Sequence, residues 1–298
     1  MKVSVVIGSY NQKERLEKVL EGFQKQNFKQ GFEVVVVDSM SPDGTKDMVD
    51  MLQSRGVSFE LQFIQRENPA GKAEARNVGV SHAKGEYIII TDADMIPEEG
   101  FVTAHYQAHK DANKVCCFEG LAYNLDSYSW PPEAQELNTQ VPKKYTNKQR
   151  LVWYYFLTGN LSFPKSIFIL EKGFSEDFKS YGWEDLELGY RLKKRQVPLY
   201  YLTNAINYHF HVISDQERAD RKLNMGQSAQ IFIKKHPELR LFLGLNPVSV
   251  WLRKRISKGG LVWRMALACC QSKVKKVRQF GYWFVGEHNY LTGLLNLG

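Results

Sequence analysis

Gly85-Glu-Tyr-Ile-Ile-Ile-Thr-Asp-Ala-Asp94 is the stretch on which the reading of this chain turns. Tyr87 to Thr91 is a short, β-branched apolar run, with the length and composition of a buried strand rather than a helix. It ends in two carboxylates separated by one alanine. Two acids held that close repel each other unless a cation lies between or near them. A divalent ion bridging them to a diphosphate resolves the repulsion, and Mg²⁺ or Mn²⁺ suits such oxygen ligands. Taken alone, the Asp92-Ala93-Asp94 triplet reads at least as well as a solvated turn. The residues around it decide between the two.

Upstream, strand and helix patterns alternate. Val3 to Ser9 is a buried strand, and Leu16, Val19, Leu20 and Phe23 then fall on one helical stripe. Phe32 to Val37 is a second apolar run ending in Asp38. Pro42-Asp43-Gly44 is a turn, and Met48, Val49 and Leu52 mark another helix face. Phe59 to Ile64 is a third strand, and 70–83 is helical. Alternation of this length predicts an α/β chain with a mostly parallel sheet and helices on both faces. Ligands of such sheets sit beyond the carboxyl ends of the strands, where Ser9, Asp38 and Asp92 lie.

Downstream the pattern loosens. Residues 130–146 are polar and turn-rich, a loop or lid. Phe156 to Phe163 and Leu199 to Phe210 are strand-like, Leu186 to Lys194 is helical, and Ser214 to His236 reads as a polar helix pair. Tyr208-His209-Phe210-His211 puts two imidazoles on one face of a strand. Glu184-Asp185 opens a helix, where the positive end of the helix dipole favours an ionised carboxylate. Such a pair serves as a helix cap or as a general base. Trp153, Tyr154 and Tyr155 suit sugar stacking or core packing equally. His82, His105, His109, His236 and His288 are scattered and read as surface or core residues.

Four segments stand in fixed order: Val5-Val-Ile-Gly-Ser9-Tyr10-Asn11; Val34-Val-Val-Val-Asp38 with Asp43-Gly44-Thr45; Asn68-Pro-Ala-Gly71-Lys72-Ala-Glu-Ala-Arg76-Asn77-Val-Gly79; and Gly85 to Asp94. Together they resemble the nucleotide-sugar half of the family 2 glycosyltransferases, which have the GT-A fold. Thr158-Gly159-Asn160 and Gly182-Trp183-Glu184-Asp185-Leu-Glu187-Leu-Gly189-Tyr190-Arg191 resemble the acceptor-half motifs shared with galactosyl- and N-acetylgalactosaminyltransferase-type domains. The resemblance implies a GT-A domain over 1–212, with a donor half at 1–100 and an acceptor half at 101–212. Residues 213–298 fall outside it, as a helical basic extension.

The resemblance also implies roles. Asp38 accepts from the base edge, Lys72 lies against base or phosphates, and Ser9 and Tyr10 line the nucleoside. Asp92 and Ala93 face the ribose or metal, and Asp94 binds the ion. His209, or failing it His211, completes the metal shell. Asp185 takes the acceptor proton while Glu184 positions the acceptor. The expected activity is metal-dependent, inverting transfer of a sugar from a UDP-linked donor to a hydroxyl of a glycan, lipid-linked saccharide or protein. The expected cofactor is Mn²⁺ or Mg²⁺. Inversion also fits one base without a second positioned nucleophile. Two other readings are a non-catalytic nucleotide-sugar or glycan-binding module and a nucleotidyltransferase. Intact Asp92, Asp94 and Asp185 weigh against the first. The second expects a Gly-rich basic loop where Ser9-Tyr10-Asn11 stands.

Composition bounds the rest. The 298 residues are 43% hydrophobic and 24% charged, which excludes a disordered chain. Of 40 Lys and Arg and 32 Asp and Glu, nine bases and one acid fall in 247–298, so residues 1–246 are neutral and the tail holds the whole excess of +8. Such a patch seeks an anionic surface. Trp251, Leu252, Ile256, Leu261, Val262, Met265 and Leu267 interleave with Arg253, Lys254, Arg255, Lys258 and Arg264, which suits a helix lying in a membrane interface. A packed helical layer with a solvated basic face accounts for the same pattern. No recognition motif supports a nucleic-acid partner. The cysteines, Cys116-Cys117 and Cys269-Cys270, read as buried thiols in a reducing compartment. No secretory leader pattern opens the chain. The expected location is cytoplasmic, or peripheral on the inner membrane face.

Overall fold

The computed structural model describes residues 1–68, 71–125, 128, 130–131 and 138–295, and the side chains of these except Leu252 and Lys254. Part of the Asn68–Gly79 segment and much of the expected 130–146 loop fall outside the described residues. The chain divides into two compact units, Met1–Glu176 with Glu184–Val212, and Asp177–Trp183 with Ile213–Gly298.

The first unit is built on one mixed sheet. Its N-terminal elements alternate as the sequence pattern requires: β1 (Val3–Ser9), α1 (Lys13–Gln24), β2 (Phe32–Asp38), α2 (Thr45–Arg55), β3 (Glu60–Gln65), α3 (Lys72–His82) and β4 (Tyr87–Asp92). Then follow β5 (Met95–Pro97), α4 (Phe101–Asp111), β6 (Cys117–Asn124), β7 (Asn138–Thr139), β8 (Arg150–Leu151), β9 (Leu161–Pro164), α5 (Lys165–Leu170), α6 (Glu184–Lys194) and β10 (Leu199–His209). Among the described residues the strand order is β3-β2-β1-β4-β9-β6-β10-β5, with β7 on β6 and β8 on β10. The pairs among β1–β4 are parallel. Beyond β4 only β6–β10 is parallel; β9 runs antiparallel to both β4 and β6.

Period-two alternation fills both faces of this sheet. Val6, Val35, Val37, Ile88 and Ile90 pack with Ala73 and Val80 of α3 and with Leu188 and Leu192 of α6. Val5, Ile7, Val34, Val36 and Ile89 face the other way, onto Leu16, Leu20 and Phe23 of α1, Val49 of α2 and Phe101 of α4. Apolar side chains on both faces make β1, β2 and β4 near-continuous hydrophobic runs, as in parallel sheets covered on both sides.

Two expectations change. Phe156 to Phe163 is not one strand: Trp153–Tyr155 forms a 3₁₀ turn, and pairing starts only at Leu161, after the Thr158-Gly159 turn. Ser214 to His236 is not a helix pair. It is one 21-residue helix, α7 (Asp215–Lys235), whose first turn is capped by Ser214 Oγ accepting from the Glu217 N–H at 3.1 Å. Gly226 lies inside it at a close approach of α10 (Lys275–Leu295): a Cβ there would lie 2.0 Å from the Tyr290 carbonyl oxygen.

The second unit is helical: α7, α8 (Pro247–Arg255), α9 (Leu261–Cys270) and α10 (Lys275–Leu295). Segment 177–183 belongs with it, through Phe178 against Phe232 and Trp183 against Phe232 and Tyr290. No helix among the described residues is long and apolar enough to cross a membrane. Cys116, Cys117 and Cys270 are buried, and all four cysteines are free.

Candidate active site

Strand register brings the first cluster together. Met95 pairs with His209 across the antiparallel β5–β10 ladder, and the Phe210 N–H donates to the Asp94 carbonyl at 2.7 Å. Asp94 is thereby fixed beside the two histidines that flank Phe210. Its Oδ2 lies 3.4 Å from His209 Nε2 and 3.5 Å from His211 Nδ1. One ligand atom from each of the three falls within 4.8 Å of the others. His209 Nδ1 sits 3.2 Å from Asn124 Oδ1 on β6, which fixes the ring with Nε2 toward Asp94. Burial pushes the Asp94 carboxyl up, but its hydrogen bonds with His209 and His211 outweigh burial and hold it well below the usual carboxylate range. Asp94 Oδ1 is buried and has no hydrogen-bond partner. A carboxylate with a spare buried oxygen and two imidazoles fits a divalent ion, and the nitrogen donors suit Mn²⁺ better than Mg²⁺.

Arg76 organises the second cluster. It lies on the buried stripe of α3 with Ala73 and Val80 and is 2% exposed. Its Nη2 donates to Asp92 Oδ1 at 2.8 Å and its Nη1 to Glu184 Oε1 at 2.9 Å. The guanidinium also stands over the Phe174 ring. A buried guanidinium between two carboxylates stays charged: burial alone would lower its pKa, and Asp92 and Glu184 drive it upward instead. Asp92 also lies 3.7 Å from Lys72 Nζ, and is not one of the three residues around the metal-type cluster. Burial raises the Asp92 carboxyl, while Lys72 and Arg76 bring it below its ordinary value.

The start of α6 holds the acids expected there. Glu184 is buried, and its Oε2 has no partner. Asp185 keeps partial exposure. Burial, then the neighbouring Glu184, push the Asp185 carboxyl up to about 7, against the pull of Arg76. That value suits a base working near neutral pH.

Ser9, Tyr10, Lys72, Asp92, Ala93 and Asp94 line one cavity, with Arg76 in its wall. Ser9 Oγ is buried without a partner, whereas Tyr10 is 57% exposed. Asp38 does not line this cavity. It is buried at the end of β2, where its carboxylate accepts from the Ser41 N–H at 2.8 Å and the Ser41 hydroxyl at 2.6 Å.

Asn124 and Glu119 escape a reading of the sequence alone, and the partners of Arg76 do too. Arg76 sits at i+3 from Ala73 and i−4 from Val80, so the stripe itself marks an arginine forced inward. Glu119 shares a face of β6 with Cys117 and Leu121 and is fully buried. Burial pushes its carboxyl well above the usual range, although the Leu157 N–H donates to it at 3.0 Å. Asn160 is structural. Its Nδ2 donates to the Ala205 carbonyl at 2.9 Å, inside the register shift of β10 between Leu202 and Ile206. His105 and His109 are not the isolated residues expected: both reach Ser162 Oγ, at 2.8 and 2.9 Å, in one buried network. Arg191 pairs with Glu187 and Glu171.

A parallel sheet with this cluster at its carboxyl end, continued by a mixed half, defines a GT-A type protein. The profile described as Glycosyl transferase family 2 matches residues 4–169, and the chain belongs to that family. A second profile, described as N-terminal domain of galactosyltransferase, matches residues 143–214. Among curated relatives, the uncharacterized glycosyltransferase YfnE of Bacillus subtilis is 29% identical over 241 residues, covering 64% of this chain and 60% of that protein. Validoxylamine A glucosyltransferase of Streptomyces hygroscopicus is 25% identical over 264 residues, covering 80% of this chain and 61% of that protein. The chain thus spans about 60% of the length of these relatives. The fold is shared with mannosyltransferase PcManGT from Pyrobaculum calidifontis, solved with GDP-Man and Mn²⁺ (TM-score 0.65, 16% identity, 100% of this chain and 88% of that one). It is shared also with residues 1–349 of TarS from S. aureus (TM-score 0.57, 18% identity, 99% and 81%).

Proposed function

We propose that this chain transfers a sugar from a UDP-linked donor to a hydroxyl of a glycan, lipid-linked saccharide or protein, with inversion and with help from Mn²⁺ or Mg²⁺. The observation that carries the reading is the Asp94–His209–His211 cluster beside a cavity lined by Ser9, Tyr10, Lys72 and Asp92, with Arg76 linking Asp92 to the acids of α6. TarS has been solved with UDP and with UDP-GlcNAc, which supports a nucleotide sugar as donor.

Asp94, His209 and His211 would hold the ion. When bound, it supplies Lewis-acid stabilisation of a departing diphosphate. Lys72 would add positive charge on the same side, and Ser9 and Tyr10 would contact the nucleoside, with the exposed Tyr10 ring free to stack. Asp38, buried outside the lining of this cavity with both carboxylate oxygens on Ser41, would hold the loop after β2 in place rather than touch the base itself. Ala93 gives the backbone close approach to the ribose beside Asp92. Asp185, with its proton affinity raised, accepts the hydroxyl proton as the acceptor oxygen attacks. Glu184, locked by Arg76, would set where that hydroxyl sits. One base and a single direct displacement fit inversion.

Titration of the full chain with UDP in the presence and absence of Mn²⁺, beside a screen of nucleotide sugars for released nucleotide, tests the reading. UDP binding that strengthens with Mn²⁺, together with sugar-dependent UDP release, is the expected result. A chain that binds UDP–Mn²⁺ but releases no nucleotide from any donor and acceptor pair would instead support a binding module.

A further inference from the structure

The second unit holds none of the candidate site residues and carries an exposed apolar surface of its own. Helix α9 buries Ala266 and Cys270 and packs Trp263 beside them, yet Arg264 is the one charged residue on its remaining turns. Leu261 is 74% exposed and Met265 60%, with Val262 and Leu267 also in solvent. The entry to α10 repeats this. Val274, Val277, Phe280 and Trp283 are all exposed, the last two at 55% and 58%, with their rings 5.7 Å apart. On α8, Trp251 is exposed beneath the Arg255 guanidinium, 4.9 Å from the ring centroid. A soluble helix normally turns its charged face outward. Here much of the outward side is apolar, and the same 251–283 stretch exposes a run of bases: Arg255, Lys258, Arg264, Lys273, Lys275 and Lys276. Glu287, the one acid of 247–298, is engaged by Lys222 at 3.0 Å.

We infer that the exposed apolar face of α9 and the start of α10 docks on an anionic lipid surface, with its aromatic and aliphatic side chains in the interface and its bases against the headgroups. Charge selects this occupant. A second copy of the chain would set one field of bases against another, which association disfavours. An anionic leaflet neutralises that field and at the same time accepts exposed Trp and Phe at headgroup depth. The absence, among the described helices, of any that could cross a bilayer is consistent with a surface-lying mode.

The test is co-sedimentation of the full chain with vesicles of phosphatidylcholine alone, and with vesicles that include about one third phosphatidylglycerol. Binding is expected only to the second, and should weaken as salt rises. Phe280→Glu/Trp283→Glu should lower partitioning by about a hundred-fold, and Lys273→Gln/Lys275→Gln/Lys276→Gln by a similar factor, at roughly five-fold per base removed. Every altered side chain is exposed, so thermal unfolding should not shift, which separates lost docking from lost folding. Binding by both variants equal to that of the parent chain overturns the inference, as does no binding of the parent to anionic vesicles. A concentration-dependent dimer that Phe280→Glu/Trp283→Glu abolishes would assign the face to a second copy instead.

Discussion

At Arg76 a fully buried cation answers two carboxylates that come from distant parts of the sequence. Removing one member of such a group leaves uncompensated buried charge, which typically costs about 3–5 kcal/mol. Arg76→Met should therefore lower stability by that order in chemical denaturation, and Arg76→Lys should recover only part of it, since an ammonium cannot reach both acids in the same fork. Asp185 offers a cleaner functional readout. Asp185→Asn should cut turnover by roughly 10²–10⁴-fold while leaving UDP–Mn²⁺ binding by titration nearly unchanged. Equal activity of this variant would refute its assignment as base. The ionised form accepts the proton and the carboxyl titrates at about 7, so kcat/KM should rise about ten-fold per pH unit below that value and level off above it. Asp94→Asn should abolish turnover and weaken Mn²⁺-dependent UDP binding. An unchanged Mn²⁺ requirement would move the ion elsewhere.

Among the elements, α4 shows how burial becomes pH dependence. His105 is held down at about 4 by burial, in spite of Asn160, and His109 at about 3 by burial and then by His105. Both are neutral in the folded protein while the unfolded chain takes up protons at the ordinary imidazole value of about 6.5. Below that pH the unfolded state binds more protons, so stability present at neutral pH is lost as pH falls from about 6.5 toward 4 and then 3. Denaturant midpoints should drop between about pH 7 and 5, and His105→Gln/His109→Gln should flatten that drop. The strands and helices from β1 to β4 are legible because apolar periodicity is all they need. The histidine network is not, because Ser162 and Asn160 are far from His105 in sequence and no local pattern marks the encounter. Arg76 is half legible: the stripe shows that it points inward, but not that Asp92 and Glu184 meet it. The cluster of Asp94, His209 and His211 depends on strand pairing, and the sequence restricts the choice to two histidines without showing that both stand beside the carboxylate.

For the whole molecule, α7 and α10 meet at bare backbone. A Cβ on Gly226 would lie 2.0 Å from the Tyr290 carbonyl oxygen, and one on Gly293 would lie 2.2 Å from that of Leu223. Backbone cannot move aside as a side-chain tip can, so Gly226→Ala should destabilise the helical unit by about 1–3 kcal/mol or more, read as a lower thermal midpoint. Segment 177–183 carries a further consequence. The polypeptide passes between the two units three times, after Glu176, after Trp183 and after Val212. A stop codon after Val212 therefore does not liberate a finished first unit. It strands Phe178 and Trp183 without Phe232 and Tyr290 to cover them. A cut at the same place by a protease leaves a nicked species whose C-terminal fragment is still gripped by a loop of the N-terminal one, so the pieces should elute together until denatured.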